Sequence, residues 1–377
     1  MLKKKLILSI LATVCFLIAV LIANVMLPSE RDDEQKLSRE GIEEVDFSPI
    51  SDSGENEKEL QSKYSSDEFQ AGMNILIYGH PDMMEARNVF DRISSLGVNS
   101  IAINFPFYQS SWQASEVSTS PENTPTISEL EEIIEIAHNS GLSVMIRPIM
   151  DEQAFLSSNK WRGQIQPKDP DSWFDSYQSL LLSYASLAEA SDVKSLNIGT
   201  ELNSMQNKYQ ARWAELIENI RGIYKGELLY SFNYDTVSEI PSIEFVKMLD
   251  HVGIDAYFSL DLPDNATVEM LQGEWDRQMN QLEETLWQQS IIVTEAGILP
   301  IAGAYRTPYA WDFPNGIYDP QAQVNYYEAT YNTWKPHVNG IYWWAVVLGQ
   351  DPAEIGFSPL GLPTEEVIKK HFLQEGK

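Results

Sequence analysis

The sequence predicts an α/β fold, a (β/α)8 TIM barrel, on three observations. From Gly72 onward, short β-rich apolar runs alternate with longer stretches of helical spacing. Eight such runs follow one another in about 300 residues, a span that one closed barrel fills. No G-x-G-x-x-G follows the first run, and polar residues recur at several run ends, which argues against an open doubly wound sheet.

The elements follow in order. Strands are expected at residues 73–78, 98–104, 142–149, 195–199, 227–233, 251–257, 291–294 and 340–347, each a buried run rich in β-branched or aromatic residues. Helices are expected at 83–96, 127–139, 173–190, 211–224, 243–249, 268–287 and 321–334, where apolar residues recur at helical spacing. Gly97 and Gly141 stand where a helix stops before the next strand. The βα unit is the only internal repeat.

The barrel occupies residues 69–377, and two different segments precede it. Lys3, Lys4 and Lys5 lead into an apolar run interrupted only by Ser9, Thr13 and Asn24. About 20 apolar residues span a bilayer, more than a signal h-region uses. No small-x-small cleavage site closes the run. Residues 1–27 are therefore expected to anchor the chain as a single-pass transmembrane helix, with the lysines in the cytoplasm and the barrel outside. A cleaved secretory signal is the competing reading. Residues 28–68 are rich in Asp, Glu, Ser and Lys and too poor in apolar groups to offset chain entropy, so a disordered acidic spacer is expected there.

The formal net charge of −29 repels phosphates and makes nucleic acid an unsuitable partner. The single cysteine, Cys15, permits no internal disulfide, and the five histidines show no metal-ligand spacing; no metal or cofactor is implied. Ten Trp and seventeen Tyr are the unusual part of the composition; aromatic rings often fill cores, and they also form the platforms on which sugars stack, toward which this count leans mildly.

In such barrels the chemistry lies at the carboxyl ends of the strands. The fourth run ends in Gly199-Thr200-Glu201 and the seventh in Thr294-Glu295-Ala296. Two glutamates from strands three units apart face each other across the barrel mouth. Glycoside hydrolysis uses such a pair: one carboxylic acid protonates the leaving oxygen, and the other attacks the anomeric carbon or activates a water. The fourth- and seventh-strand positions resemble the plan of retaining clan A glycoside hydrolases. Along the chain, Trp161-Arg-Gly-Gln-Ile-Gln-Pro167, Tyr184-Ala-Ser-Leu-Ala-Glu189, Ile198-Gly-Thr-Glu-Leu202, Gly253-Ile-Asp-Ala-Tyr257, Thr294-Glu-Ala-Gly297 and Tyr342-Trp-Trp344 occur in the order of glycoside hydrolase family 113, which the sequence resembles from about Gly72 onward. That resemblance implies cleavage of β-mannan, with Glu201 as acid/base and Glu295 as nucleophile. It also implies a hydrogen bond from Tyr257 to Glu295. One departure stands out. Clan A enzymes usually carry Asn directly before the acid/base, and this chain has Thr200, which bears on which sugar is recognised.

Other substrate-binding candidates come from the strand ends and loops. Of Trp343 and Trp344, alternation sends one toward the sugar and one into packing, and Trp344 is favoured as the sugar platform. Trp161 and Arg162 follow the third strand, where Arg162 either meets sugar or pairs with a carboxylate such as Asp151. Asn233 and Asp235 end the fifth strand and Asn104 the second; each faces the cleft or caps a turn. Arg147, inside the third strand, needs a buried partner. The long loop after the seventh strand, with Tyr305, Tyr309, Trp311, Phe313 and Tyr318, is a groove wall or a cover over the rim. The substrate is a polysaccharide or oligosaccharide on this reading. A β-glucan, xylan or cell-wall glycan remains open on the same fold, as does a surface glycan-binding protein without catalysis.

Overall fold

A computed structural model describes residues 69–282, 284, 286–349 and 355–375. The expected membrane segment and acidic spacer lie outside the described residues. Among the described residues no helix is long and apolar enough to cross a membrane.

Eight parallel strands close into a barrel in the order β1 to β8, with β8 pairing back on β1. They are β1 (Gln70–Ile77), β2 (Ser100–Phe107), β3 (Ser143–Met150), β4 (Ser195–Thr200), β5 (Glu227–Asn233), β6 (His251–Asp255), β7 (Ile291–Ala296) and β8 (Gly340–Leu348). The β8–β1 pairing excludes the open doubly wound alternative. The helices are α1 (Met83–Ser95), α2 (Ile127–Asn139), α3 (Pro170–Ala190), α4 (Gln210–Ile223), α5 (Val268–Met279), α6 (Pro320–Trp334) and α7 (Thr364–Glu375). Local chemistry sets their starts. The Asp82 side chain accepts from the backbone N–H groups of Met84 and Glu85, and Thr126 and Glu129 form a capping box.

Two expected helices differ. Residues 243–249 are not α-helical: the β5–β6 connection is two 3-10 segments, Tyr234–Ser242 and Glu244–Met248. Pro241 lies inside the first, and a proline has no N–H with which to continue an α-helix. The helix expected over 268–287 ends at Met279, and a separate 3-10 turn follows at Leu286–Gln288.

The strands bury both faces, and alternate residues enter different layers. Ile101, Ile103, Val144, Ile146, Val293 and Trp343 pack outward into the layer shared with the helices. There α3 contributes Trp173, Tyr177, Leu181, Tyr184 and Ala188, a stripe at i, i+3 and i+4 spacing. Ala102, Met145, Leu229, Ile292 and Tyr342 form a separate apolar cluster, the filling of the barrel interior. Two residues further along the same strands stand Asn104, Arg147, Ser231, Thr294 and Trp344. By the period of two these face the interior one layer nearer the carboxyl ends. The interior is thus apolar below and polar above. Half of the ten tryptophans go into packing: Trp173, Trp213, Trp275, Trp334 and Trp343 are fully buried.

Candidate active site

Both glutamates stand where a strand departs from regular pairing. Between β4 and β5 the register runs Asn197↔Leu229 and then Thr200↔Ser231, three residues against two. Between β6 and β7 it runs Ile254↔Val293 and then Asp255↔Glu295, one against two. Such bulges re-aim the side chains that follow. They bring Thr200 into line with Asn197 and Ser231, and the Asn197 amide donates to both hydroxyls, at 3.1 and 2.8 Å. On β7, Thr294 faces inward and donates to Asp255 at 2.7 Å, and the bulge turns the next residue, Glu295, inward as well.

Glu201 follows β4 with a φ of +53°, a left-handed conformation that a side chain disfavours. Its surroundings hold it there. Its N–H donates to the Ser231 carbonyl at 2.8 Å, and the Leu202 N–H donates to the Tyr230 hydroxyl at 3.1 Å. Beneath, the Tyr177 hydroxyl donates to the Ile198 carbonyl at 2.9 Å, and the Tyr230 ring leaves no room for a Cβ on Gly199, which would lie 2.6 Å away.

Arg147 is the hub of the polar layer. Its side chain is wholly buried, and Nη2 donates to both Asp255 oxygens, at 3.0 and 2.9 Å. Nη1 donates to Glu295 Oε1 at 2.6 Å and to Asn104 Oδ1 at 2.9 Å. Asn104 is fixed in turn: its amide donates to Asn74 at 3.0 Å and to the Ala102 carbonyl at 2.8 Å. The second Glu295 oxygen accepts from the Tyr257 hydroxyl at 2.8 Å. Tyr257 lies two residues beyond the end of β6 rather than within it. Burial, and then the charge of Glu295, raise the Tyr257 phenol well above its usual range, so it stays a donor. Burial pushes the Asp255 carboxyl up, against the pull of Arg147.

Glu201 has a different environment. Its Oε2 accepts from Arg162 Nη1 at 2.8 Å. Burial pushes its carboxyl up to about 7; Arg162 pulls the other way, and the charge of Glu295 adds to the rise. Arg162 therefore pairs with Glu201 and with Glu152, at 2.8 and 3.1 Å, rather than with Asp151.

The remaining candidates separate into two groups. Trp343 points away from the cleft and stacks on Tyr327 at 4.0 Å. Trp344 faces the interior, with Trp311 edge-on at 6.4 Å, and is followed by a cis peptide to Ala345. Trp161 is half-buried and lies over Gly163, where a Cβ would come within 2.3 Å of its ring. Asn233 caps the turn after β5, its side chain accepting from the Asp235 N–H at 3.4 Å. Asp235 accepts from Asn203 at 3.0 Å. The loop after β7 is both cover and wall: Tyr305 is buried and accepts from the Ala266 N–H at 3.2 Å, whereas Tyr309 stacks parallel to Tyr234 and Trp311 packs on Phe357.

Three participants were not singled out from the sequence. Asp255 sits between Ile254 and Ala256 in a buried strand, and a charge there demands a counter-charge; Arg147, a cation inside a buried strand, is the signal. Glu152 carried no signal, since its role depends on the loop after β3. Tyr78 is 56% exposed, yet crowding and the charge of Asp151 push its phenol up to about 12.

The model of glycoside hydrolase family 113 matches residues 78–351. The chain belongs to that family. Solved structures agree in fold. One, a complex of a family 113 β-1,4-mannanase, is 21% identical with a TM-score of 0.71, covering 81% of this chain and 99% of that one. The family 113 β-mannanase AaManA from Alicyclobacillus acidocaldarius, in complex with ManMIm, is 21% identical with a TM-score of 0.68, covering 82% and 99%. A β-glucuronidase from Ruminococcus gnavus is more distant, at 11% identity and a TM-score of 0.55, covering 81% of this chain and 50% of that one. A comparison with curated proteins found no match. As a family 113 glycoside hydrolase, the chain is an enzyme.

The hub generates a stability prediction. Arg147→Ala leaves Asp255 buried without its cation and should cost about 3–5 kcal/mol in denaturant unfolding. Asp255→Ala in the same background should then cost less than it does alone, a coupling of about 0.5–3 kcal/mol. Additive losses would mean that the pair is not energetically joined.

Proposed function

We propose that this glycoside hydrolase cleaves β-1,4-mannan with retention of configuration, with Glu295 as nucleophile and Glu201 as acid/base. One observation carries the division of labour. The Glu295 carboxylate accepts from Arg147 and Tyr257, at 2.6 and 2.8 Å, whereas burial holds the proton on Glu201 up to about pH 7. One carboxylate is aimed by two donors; the other keeps its proton. The mannan assignment is supported by the family and by the activity of the two mannanases that share the fold.

The reaction then runs in two displacements. A Glu295 oxygen attacks the anomeric carbon as the glycosidic bond breaks, and Glu201 passes its proton to the departing oxygen. A glycosyl ester on Glu295 results, and the charge that raised Glu201 is gone. Glu201 next takes a proton from water, the water oxygen attacks the anomeric carbon, and the ester bond to Glu295 breaks. Two inversions give a β product. Trp344 is read as the floor beneath the reactive sugar, with Trp161 beside it, and Asn233 lies at the rim. Thr200 and Asn104 serve the site from beneath, through Asn197 and Arg147. Trp343 belongs to the packing layer. We further propose that residues 1–27 anchor the chain in a membrane and place the barrel outside the cell; the lysine-flanked apolar run supports this.

Reducing-sugar release by the full-length chain should be highest on mannan or glucomannan and low on xylan and mixed-linkage glucan; cleavage of xylan alone would overturn the substrate. Glu295→Gln should abolish turnover. Glu201→Ala should lower kcat/KM on mannan by about 10²- to 10⁴-fold, spare an activated aryl glycoside in the first step, and recover with azide. Full activity in either variant removes that residue from the pair. In the wild type, kcat/KM should fall as pH rises through about 7, where Glu201 loses its proton.

The anchor is tested separately. The full-length chain should fractionate with membranes. A processed form in the medium, beginning near Pro28, would show a cleaved signal instead.

A further inference from the structure

The two-displacement reading leaves Glu152 without a role and gives Arg162 an awkward one. A guanidinium 2.8 Å from Glu201 Oε2 favours the carboxylate. That opposes proton donation in the first step and assists proton uptake in the second. A cation so placed needs a restraint.

Glu152 supplies it. Its Oε1 accepts from the Arg162 backbone N–H at 3.2 Å and lies 3.1 Å from Arg162 Nε, which also donates to the Met150 carbonyl at 3.2 Å. The side chains of Arg162, Glu152 and Glu201 are all largely buried, so water screens the three charges weakly. One guanidinium is thus shared between two carboxylates, and its Nη1 is the arm that reaches Glu201.

We propose that Arg162 and Glu152 act as a positioning pair: Glu152 clamps the Arg162 guanidinium against Glu201 and partly neutralises it, and the pair thereby sets how readily Glu201 gives up and retakes its proton. This rests on Glu201 as acid/base. Neither residue of the pair is assigned a bond to the reacting atoms. Other charged or titratable groups also face Glu201: Arg147 from β3, Tyr230 from β5, Tyr234 after it, Asp255 from β6, Tyr257 beyond it, and Glu295 from β7. Arg147, the other cation among them, is already divided between Asp255 and Glu295. Arg162 is therefore the cation whose removal acts most directly on Glu201.

The signs of the two substitutions are opposite. Arg162→Gln removes the cation and should raise the Glu201 pKa, moving the alkaline limb of kcat/KM to higher pH. Glu152→Gln keeps an amide oxygen for the Arg162 N–H groups but removes the shared negative charge. Arg162 then acts on Glu201 alone, and the pKa should fall. Shifts of about one unit, a tenfold change in proton affinity, are expected for each. Arg162→Lys restores a cation and should return the value most of the way to wild type. A purely structural role would loosen the loop after β3 in both variants and would give no such opposition.

The decisive experiment is a carboxyl 13C titration of the full-length chain labelled in glutamate, with the Glu201 resonance identified by its loss in Glu201→Gln. It needs no substrate, so it stands or falls separately from the mannan assignment. A rise in Arg162→Gln, a fall in Glu152→Gln and a near-normal value in Arg162→Lys support the pair. Shifts of the same sign, or no shift in Glu152→Gln, overturn it. If Arg162→Gln fails to fold, the fall required of Glu152→Gln is still a complete test.

Discussion

A guanidinium sealed from water must be met by counter-charge and by acceptors in fixed directions, and Arg147 imposes that demand at the centre of this barrel. Its side chain has no exposed surface, and its two terminal nitrogens make four short contacts to Asp255, Glu295 and Asn104. Asn74, Asn104 and Thr294 add further hydrogen bonds to the same layer. Below it lie Ala102, Met145, Leu229, Ile292 and Tyr342, whose hydroxyl donates to Gln70 at 2.6 Å. The charge can therefore sit only in the upper interior, and the nucleophile candidate is aimed by the same network that neutralises it. Replacing the network with apolar groups could keep a barrel standing, since buried ion pairs are poor sources of stability. It would not aim Glu295.

The second constraint is geometric. A parallel strand alternates its side chains, so regular β7 would send Thr294 inward and Glu295 outward. The bulge opposite β6 lets both face the site. On β4 the bulge opposite β5 does the same for Thr200, and the left-handed turn at Glu201 completes the re-aiming. The aromatic layer behind β4 and β5, with Trp213 edge-on to both Phe174 and Tyr230, is the rigid backing that holds this conformation. Packing outside the barrel thus bears on chemistry inside it.

The strands were legible because their signal is local: buried β-branched runs bounded by turn residues. The family order of motifs and the two glutamates at strand ends were legible for the same reason. What failed depended on three dimensions. The β5–β6 connection has an apolar pattern that suits an α-helix or 3-10 turns, and Pro241 with its short span decides for the latter. Arg162 was weighed against Asp151, close in sequence, but the 3-10 turn at Arg162–Gln164 directs it to Glu152 and Glu201. The Gly253-Ile-Asp-Ala-Tyr257 motif assigns Asp255 no role by itself, although a buried aspartate on β6 and a buried arginine on β3 invite pairing across the barrel interior. The tryptophan content pointed to sugar platforms, yet five of the ten are fully buried packing. Asn233 caps a turn, one of the two roles that its position allowed.

The central claim is that Glu295 forms a covalent bond to the sugar while Glu201 manages the proton. Incubation with a 2-deoxy-2-fluoro-β-mannosyl fluoride slows the second displacement more than the first and so accumulates the intermediate. Mass spectrometry of the digested protein should then find one fluoromannosyl group on the peptide carrying Thr294-Glu295-Ala296, with the label absent in Glu295→Gln. A label on any other carboxylate, or its persistence in Glu295→Gln, would contradict the account.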